Sequence, residues 1–276
     1  MRKRIVSILL VVTMLLAFAI GVTAQSDEEN APTISIDGEE IAFQHTPVVK
    51  SNGKLWVPLI EICNALGAKM TKWEESDASV LAVFPDFAID AKAGKNYINA
   101  NGRCLGFDGE CISLDDDLLV PTEVIAKAFM ANYSFDEELN TATLYTGSEV
   151  IESGDEFYNQ EDLYWLARII WAESGNQPFV GKLAVGNVVM NRMHLPNFPD
   201  TVYGVVFDTR CGVQFSPILN GTIYNTPTED CWIAAKMAME GERPVGDCLY
   251  FAAIKDCWAA YNRPYYTTIG GHDFYL

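Results

Sequence analysis

The first half of the chain repeats one pattern, and the repeat limits what it can fold into. Leu55-Trp56-Val57-Pro58-Leu59-Ile60-Glu61-Ile62-Cys63-Asn64-Ala65-Leu66-Gly67-Ala68 is echoed by Leu118-Leu119-Val120-Pro121-Thr122-Glu123-Val124-Ile125-Ala126-Lys127-Ala128-Phe129-Met130-Ala131. Val57 and Val120, Pro58 and Pro121, Ile62 and Ile125, and Ala65 and Ala128 align without a gap. Each copy reads as an apolar strand, a proline at the start of a helix, and a short helix with apolar residues at i, i+3 and i+4. A return strand follows each copy, around Val80–Phe84 and around Thr141–Tyr145. Trp73-Glu74-Glu75 and Phe135-Asp136-Glu137 are expected to supply the turns before those strands. Further strands are expected at Ile34–Ile36 and Lys95–Ile98, with Asn-Gly and Asp-Gly turns nearby.

The chain of 276 residues begins Met1-Arg2-Lys3-Arg4, continues apolar from Ile5 to Ile20, and then reads Val22-Thr23-Ala24. A basic start, a short apolar run and small residues before a break describe a secretory signal, with cleavage expected after Ala24. An uncleaved membrane anchor is the alternative. No later segment is long and apolar enough to cross a membrane, so a mature chain of 252 residues (276 − 24) is expected to work outside the cytoplasm. Removing the signal takes away three positive charges and no negative ones, so the net charge moves from −18 to −21. Such a surface repels nucleic acid and anionic lipid, which excludes those partners, and stable membrane insertion is not expected after cleavage.

All seven cysteines lie beyond the signal: Cys63, Cys104 and Cys111 in the first half, and Cys211, Cys231, Cys248 and Cys257 in the second. Outside the cell they are free to pair, and the sequence cannot choose the connectivity. Cys104 and Cys111, separated by a Gly-rich stretch, are candidates for a hairpin staple. The odd count leaves at least one thiol free or paired between chains. No C-x-x-C is present and only His45, His194 and His272 occur, so no zinc pattern and no cofactor are expected.

Residues 148–158, polar and acidic, read as a linker between a domain over 31–147 and a second over 159–276. The second domain opens with Asn159-Gln160-Glu161-Asp162, where Asn159 takes the N-cap and Asp162 also satisfies first-turn amides. Leu163, Leu166, Ile169 and Ile170 follow at helical spacing, and Glu173 projects between Ile169 and Leu166 on the helical wheel. Gly175 ends this helix and Pro178 opens the next, which is apolar on much of its circumference. Another helix is expected from about Thr228 to Gly241, and an extended segment at Cys248–Phe251. A glutamate at the end of an apolar stripe is reluctant to ionise, because burial and the helix C-terminus both disfavour its charge. A glutamate still protonated near neutral pH can donate to the oxygen leaving a sugar ring.

The duplicated β-α-β pattern over about Thr33–Gly147 resembles the copper amine oxidase N-terminal-like domain of bacterial surface and secreted proteins. The resemblance implies an accessory, wall-facing or spacer domain. The name implies no copper here, since His45 is the one histidine in this half and no ligand set surrounds it.

In the second half, Glu173-Ser174-Gly175-Asn176-Gln177-Pro178-Phe179-Val180-Gly181-Lys182-Leu183-Ala184-Val185, with Val189-Met190-Asn191-Arg192, resembles the spore cortex-lytic and cell wall hydrolase family (the SleB/CwlJ type). The likeness continues through Phe198–Phe207, Gln214-Phe215-Ser216, Asp247–Phe251 and Thr268–Phe274. The resemblance implies an α+β chain whose second half is a mostly helical, lysozyme-like domain cleaving peptidoglycan glycan strands between N-acetylmuramic acid and N-acetylglucosamine. It further implies lytic transglycosylase chemistry, in which the muramyl 6-hydroxyl closes on its own anomeric carbon and one glutamate serves as acid and then base. That chemistry suits a chain whose next acidic residue after Glu173 is Asp200. Hydrolysis of the same bond is the alternative outcome. Glu173 is the expected catalytic residue. Gln214, Phe215, Ser216 and Tyr250 are the expected substrate contacts, with core packing the alternative for Phe215 and Tyr250, and Trp258 and Tyr261 are further stacking surfaces or core. Asn191, Arg192 and His272 are expected to be structural.

The implied setting is the cell wall or spore cortex, with peptidoglycan as the partner and a restraining wall protein left unidentified. No peptidoglycan-binding repeat precedes the catalytic half. Three other readings compete. A zinc amidase wants more histidines than the chain has. A Cys-His peptidase needs a thiolate that an oxidising compartment disfavours. A non-catalytic wall-binding protein would not need the Glu173 block.

Overall fold

The computed structural model describes residues 31–45, 47–49, 53–210, 212–253 and 256–276. The expected signal and Cys211 lie outside them. In chain order the first half contains β1 (Thr33–Ile36), β2 (Glu39–Glu40), β3 (Val48–Val49), β4 (Leu55–Pro58), α1 (Leu59–Ala65), β5 (Met70–Glu74), β6 (Ser79–Val83), β7 (Ala88–Lys92), β8 (Tyr97–Ala100), β9 (Arg103–Gly106), β10 (Ile112–Leu114), β11 (Asp117–Pro121), α2 (Thr122–Ala128), β12 (Asn132–Asp136) and β13 (Thr141–Tyr145). Three sheets result, in strand orders β12-β13-β1-β2, β10-β11-β4-β3 and β5-β6-β7-β8-β9.

The strands of the two repeat copies, β4 and β11, are buried along their whole length and pair antiparallel, with Val57 opposite Val120. Their prolines stand at the helix N-caps, where a missing N–H costs nothing. Asp117 is buried at the start of β11. Its carboxylate accepts from the backbone N–H groups of Ile60, Glu61 and Leu118, which caps α1 from across the sheet. Strand β1 closes the module by pairing parallel with β13, Thr33 opposite Thr141. Trp73-Glu74 and Phe135-Asp136 do not form turns. They end β5 and β12, which run antiparallel to the expected return strands, and the turns come after them. Alternation of half-buried and exposed residues in those strands was hidden by their polar content.

The second half contains α3 (Gly154–Phe157), α4 (Gln160–Ser174), α5 (Phe179–Met193), α6 (Val202–Val206), α7 (Pro217–Asn220), a 3-10 turn at Thr222–Tyr224, α8 (Glu229–Met239), β14 (Tyr250–Ala252), α9 (Trp258–Asn262), β15 (Tyr265–Ile269) and β16 (His272–Tyr275). The core lies where α4, α5 and α8 meet. Leu166, Ile169, Ile170, Val185, Val189, Ala234, Ala235 and Met237 are all fully buried there. Gly186 lets the helices approach: a Cβ on it would stand 3.0 Å from Ile170 and 3.1 Å from Ala238. Each such buried aliphatic side chain contributes about 1.5–3 kcal/mol relative to exposure. A small antiparallel sheet, β14-β16-β15, packs at the end of this core.

The segment expected to be a linker is packed. Ile151 is buried, with its N–H bonded to the carbonyl of Ala128 and its carbonyl to the Asn101 amide. The buried Tyr158 donates its hydroxyl to Glu240 at 2.9 Å and accepts from the Cys104 N–H at 3.1 Å. Residues 31–276 form one compact unit. Cys104 and Cys111 do not form a staple: both are free and buried, Cys104 against the helical core and Cys111 in the core of the first half.

Candidate active site

Helix α4 is started as the sequence demands. The Asn159 carboxamide oxygen accepts from the N–H groups of Glu161 (3.0 Å) and Asp162 (3.1 Å). The Asp162 carboxylate does not turn back to the cap. It accepts from the Val202 N–H at 2.8 Å and so ties α6 to the start of α4. Glu173 lies in the last turn, partly buried. Its carboxyl is pushed up to about 7, and burial is the cause of that shift.

The loop that follows Glu173 is held from several sides. The Ser174 hydroxyl is buried and donates to the Ile170 carbonyl at 2.6 Å. The Gln177 N–H returns to the Ser174 carbonyl, and the Gln177 carbonyl accepts from Lys182 Nζ at 2.6 Å. Lys182 is buried in the first turns of α5, where its ammonium serves as an internal donor. The Gln177 side-chain oxygen accepts from the Gly271 N–H at 2.7 Å. This joins the Glu173 loop to the β15–β16 turn. Gly270 occupies φ +58°, and a Cβ there would lie 2.4 Å from the same oxygen, so the turn needs glycine both for its backbone and for the contact.

The expected substrate contacts occupy different environments. Gln214 is exposed, and its amide donates to the Gly212 carbonyl at 3.1 Å. Ser216 is exposed at the start of α7. Phe215, expected to cover a sugar face, is only 2% exposed and packs in the core 6.2 Å from Phe251. Its ring is therefore part of the core, because the apolar interior holds it more strongly than the surface would. Tyr250 is half-buried in β14, its hydroxyl accepting from Arg263 at 3.1 Å. Phe215 and Tyr250 meet at one residue the sequence marked only as structural. Arg192 is buried at the end of α5 with its guanidinium about equally close to Phe198, Phe215 and Tyr250, at 5.3–5.4 Å from each ring. It donates Nε–H to the Leu249 carbonyl, and burial lowers it to about 10. Asn191 likewise bonds the carbonyls of Gly246 and Cys248.

Among the described residues no hydrogen bond joins Glu173 to Phe215, Ser216 or Tyr250. His272 is buried edge-on to Phe251, and its pKa is lowered by burial, so it stays neutral. Trp258 and Tyr261 are exposed, the former beside Tyr250 at 5.5 Å. Gln177 and Lys182 as supports of Glu173 were not legible in the sequence. A lysine within the otherwise apolar α5 was the available signal.

Comparison with known proteins now bears on both halves. Residues 176–275 match the Cell Wall Hydrolase family model, and residues 35–144 match the Copper amine oxidase N-terminal domain model. The second half is a cell wall hydrolase domain. Glu173 stands just ahead of the first matched residue. Spore cortex-lytic enzymes are also similar to this chain. That of Bacillus cereus (strain ATCC 14579) is 36% identical over 122 residues, which is 42% of this chain and 45% of the relative. That of Halalkalibacterium halodurans is 33% identical over 119 residues, 42% of this chain and 35% of the relative. That of Bacillus subtilis (strain 168) is 30% identical over 120 residues, 42% and 38%. The chain thus spans less than half the length of these relatives. The solved catalytic domain of the germination-specific lytic transglycosylase SleB from Bacillus anthracis aligns with a TM-score of 0.40 and 33% identity, covering 46% of this chain and all of that one.

His45 Nδ1 is engaged by the Glu61 carboxylate at 2.6 Å. Among the described residues no three His, Cys, Asp or Glu side chains converge as a metal set. No step below runs through a metal.

Proposed function

We propose that this chain cleaves the glycan strands of peptidoglycan between N-acetylmuramic acid and N-acetylglucosamine, with Glu173 as the general acid and base. One observation carries the reading: Glu173 is a partly buried carboxyl in the last turn of α4, raised to about 7 by burial, and the loop that follows it is clamped by Gln177 and Lys182. Such a group is protonated at the start of the reaction and gives up its proton without a partner carboxylate. It donates to the oxygen leaving the muramyl anomeric carbon, and the C1–O bond breaks. The muramyl 6-hydroxyl then bonds to that carbon and returns its proton to the Glu173 carboxylate. The products are a 1,6-anhydro-muramyl end and a free 4-hydroxyl, with no water consumed. This transglycosylase course needs one carboxyl where hydrolysis usually uses a second, and it suits a chain whose next acidic residue after Glu173 is Asp200.

The likeness to spore cortex-lytic enzymes supports spore cortex or cell wall as the setting, outside the cytoplasm. The copper amine oxidase-like module is proposed to act as a wall-facing support, lysozyme-like architecture is proposed for the helical half, and 148–158 is proposed as their connection. No helix among the described residues is long and apolar enough to cross a membrane. The test is mass spectrometry of purified peptidoglycan digested by the wild type and by Glu173→Gln. Anhydro-muramyl ends that vanish in the variant are expected. Reducing muramyl ends would replace the transglycosylase course with hydrolysis. Free stem peptides, or equal cleavage by the variant, would end the glycosidic reading.

A further inference from the structure

Five aromatic residues meet around Trp165 of α4. Trp165 contacts Tyr164, Tyr203, Phe207 and Tyr224 with ring centroids 5.1–6.3 Å apart. Tyr203 and Phe207 lie against each other at 4.5 Å. Large aromatics normally hide, yet Tyr203 is 46% and Tyr224 61% exposed. Among the described residues, no hydrogen-bond partner engages the Trp165 indole N–H or the hydroxyls of Tyr203 and Tyr224. The cluster is also held in place. Arg168 covers the Tyr164 ring at 4.4 Å and donates to the carbonyls of Ile223 and Asn225, pinning the 3-10 turn that carries Tyr224. What remains open is a fixed surface of Trp165, Tyr203 and Tyr224, with ring faces and free polar tips together.

We infer that Trp165, Tyr203 and Tyr224 form a platform on which a glycan strand stacks, remote from the bond being cut. This rests on the reading of Glu173 as the glycan-cleaving residue. The sugar backbone is the occupant that the chemistry fits. Pyranose rings present C–H faces to aromatic rings and hydroxyls to the tyrosine and indole tips. The chain's net charge of −18 opposes anionic lipid and nucleic acid but not an uncharged sugar backbone. Trp165 and Glu173 share α4, about 12 Å apart along the axis and about 80° apart around it. The segment carrying Tyr203 and Phe207 runs directly on to Gln214–Ser216. A polymeric substrate extends past the cut bond, so a second hold on the same helix raises its residence on the wall.

The experiment measures co-sedimentation with insoluble peptidoglycan in a Glu173→Gln background, so that binding is read without cleavage. The Tyr203→Ala/Tyr224→Ala pair is compared with Tyr145→Ala, an exposed tyrosine of the first half. With the melting temperature unchanged, the pair is expected to weaken binding roughly tenfold through the loss of two stacking contacts, and Tyr145→Ala not at all. Tyr203→Phe/Tyr224→Phe should retain most of the affinity, because the faces remain. Binding unchanged within twofold in the alanine pair overturns the platform. So does a pair whose only effect is to break self-association or adhesion to anionic vesicles. Failure of the platform is separable from failure of the proposed function. The latter is decided by whether Glu173→Gln still cuts, the former by whether the tyrosine pair still binds.

Discussion

Replacing Glu173 by glutamine should stabilise the protein at alkaline pH and leave it unchanged in acid. In the unfolded chain the carboxyl has its ordinary value of 4.5, and in the fold burial raises it to about 7. The folded state therefore holds a proton that the unfolded state has released between those two values. Stability falls as pH rises across that window and stays reduced above it. At 1.36 kcal/mol per pKa unit the full penalty is about 3 kcal/mol. The carboxyl is only partly buried, so solvent screening trims this toward 1–2 kcal/mol. For a folded unit of this size each kcal/mol moves the melting temperature by about 2–4 °C. Glutamine is isosteric, neutral at every pH and escapes the penalty. Thermal melts of wild type and Glu173→Gln at pH 4 and pH 8 are the assay. The two should coincide at pH 4, and the variant should melt several degrees higher at pH 8. An equal difference at both pH values, or a variant less stable at pH 8, would refute burial as the origin of the raised pKa. It would also remove the ground for a protonated acid at neutral pH.

Cleavage should share that titration: kcat/KM is expected to fall through an apparent pKa near 7 as pH rises, since the acid works in its protonated form, and a rate flat from pH 5 to 9 would contradict it. Gln177→Ala removes the bond to the Gly271 N–H and frees the loop behind Glu173. Stability should drop by about 1 kcal/mol and kcat by tenfold or more with little change in KM, which steady-state kinetics on soluble glycan fragments would check. Glu240→Ala leaves Arg103 buried without its partner and should destabilise the protein by about 3–5 kcal/mol, read by denaturant unfolding. Unfolding of the helical half at an unchanged midpoint would show that the joint adds nothing.

The elements that the sequence made legible are those set by local rules. Asn159 caps α4, Pro178 precedes α5, and Thr141–Tyr145 is a strand as the alternation demanded. The polar strands β5 and β12 escaped because Lys72, Glu74, Ser134 and Asp136 face water and blur the period of two. Glu173 was legible because its helix is amphipathic up to the last turn. Gln177 was not, because its partner Gly271 lies 94 residues away and nothing local announces the bond. Phe215 was misplaced for a related reason. An aromatic residue between exposed Gln214 and Ser216 reads as surface, yet the loop turns its ring inward against Arg192 and Phe251.

The joint between the halves was hidden in the same way, and it changes what the first half does for the second. Glu240 ends α8 with its side chain 1% exposed and takes a two-pronged ion pair from Arg103, at 2.7 and 2.8 Å. It also accepts from Lys127 and from the Tyr158 hydroxyl. Burial alone would raise its pKa, but the Arg103 hydrogen bonds and the Lys127 charge outweigh burial and hold it below the usual carboxylate value. Arg103 in turn lies 3.3 Å above the Phe157 ring, and Lys236 of α8 donates to the Gly102 carbonyl. Tyr97, in β8, stacks at 6.4 Å on Phe179, four residues from the start of the Gly175 loop end. Charges this deeply paired do not tolerate a swinging tether, because any separation would strand an arginine and a carboxylate in a low-dielectric seam. The first module is thereby a fixed buttress of α8 and of the N-terminal end of α5. It holds the elements that carry Lys182 and, through it, the loop behind Glu173.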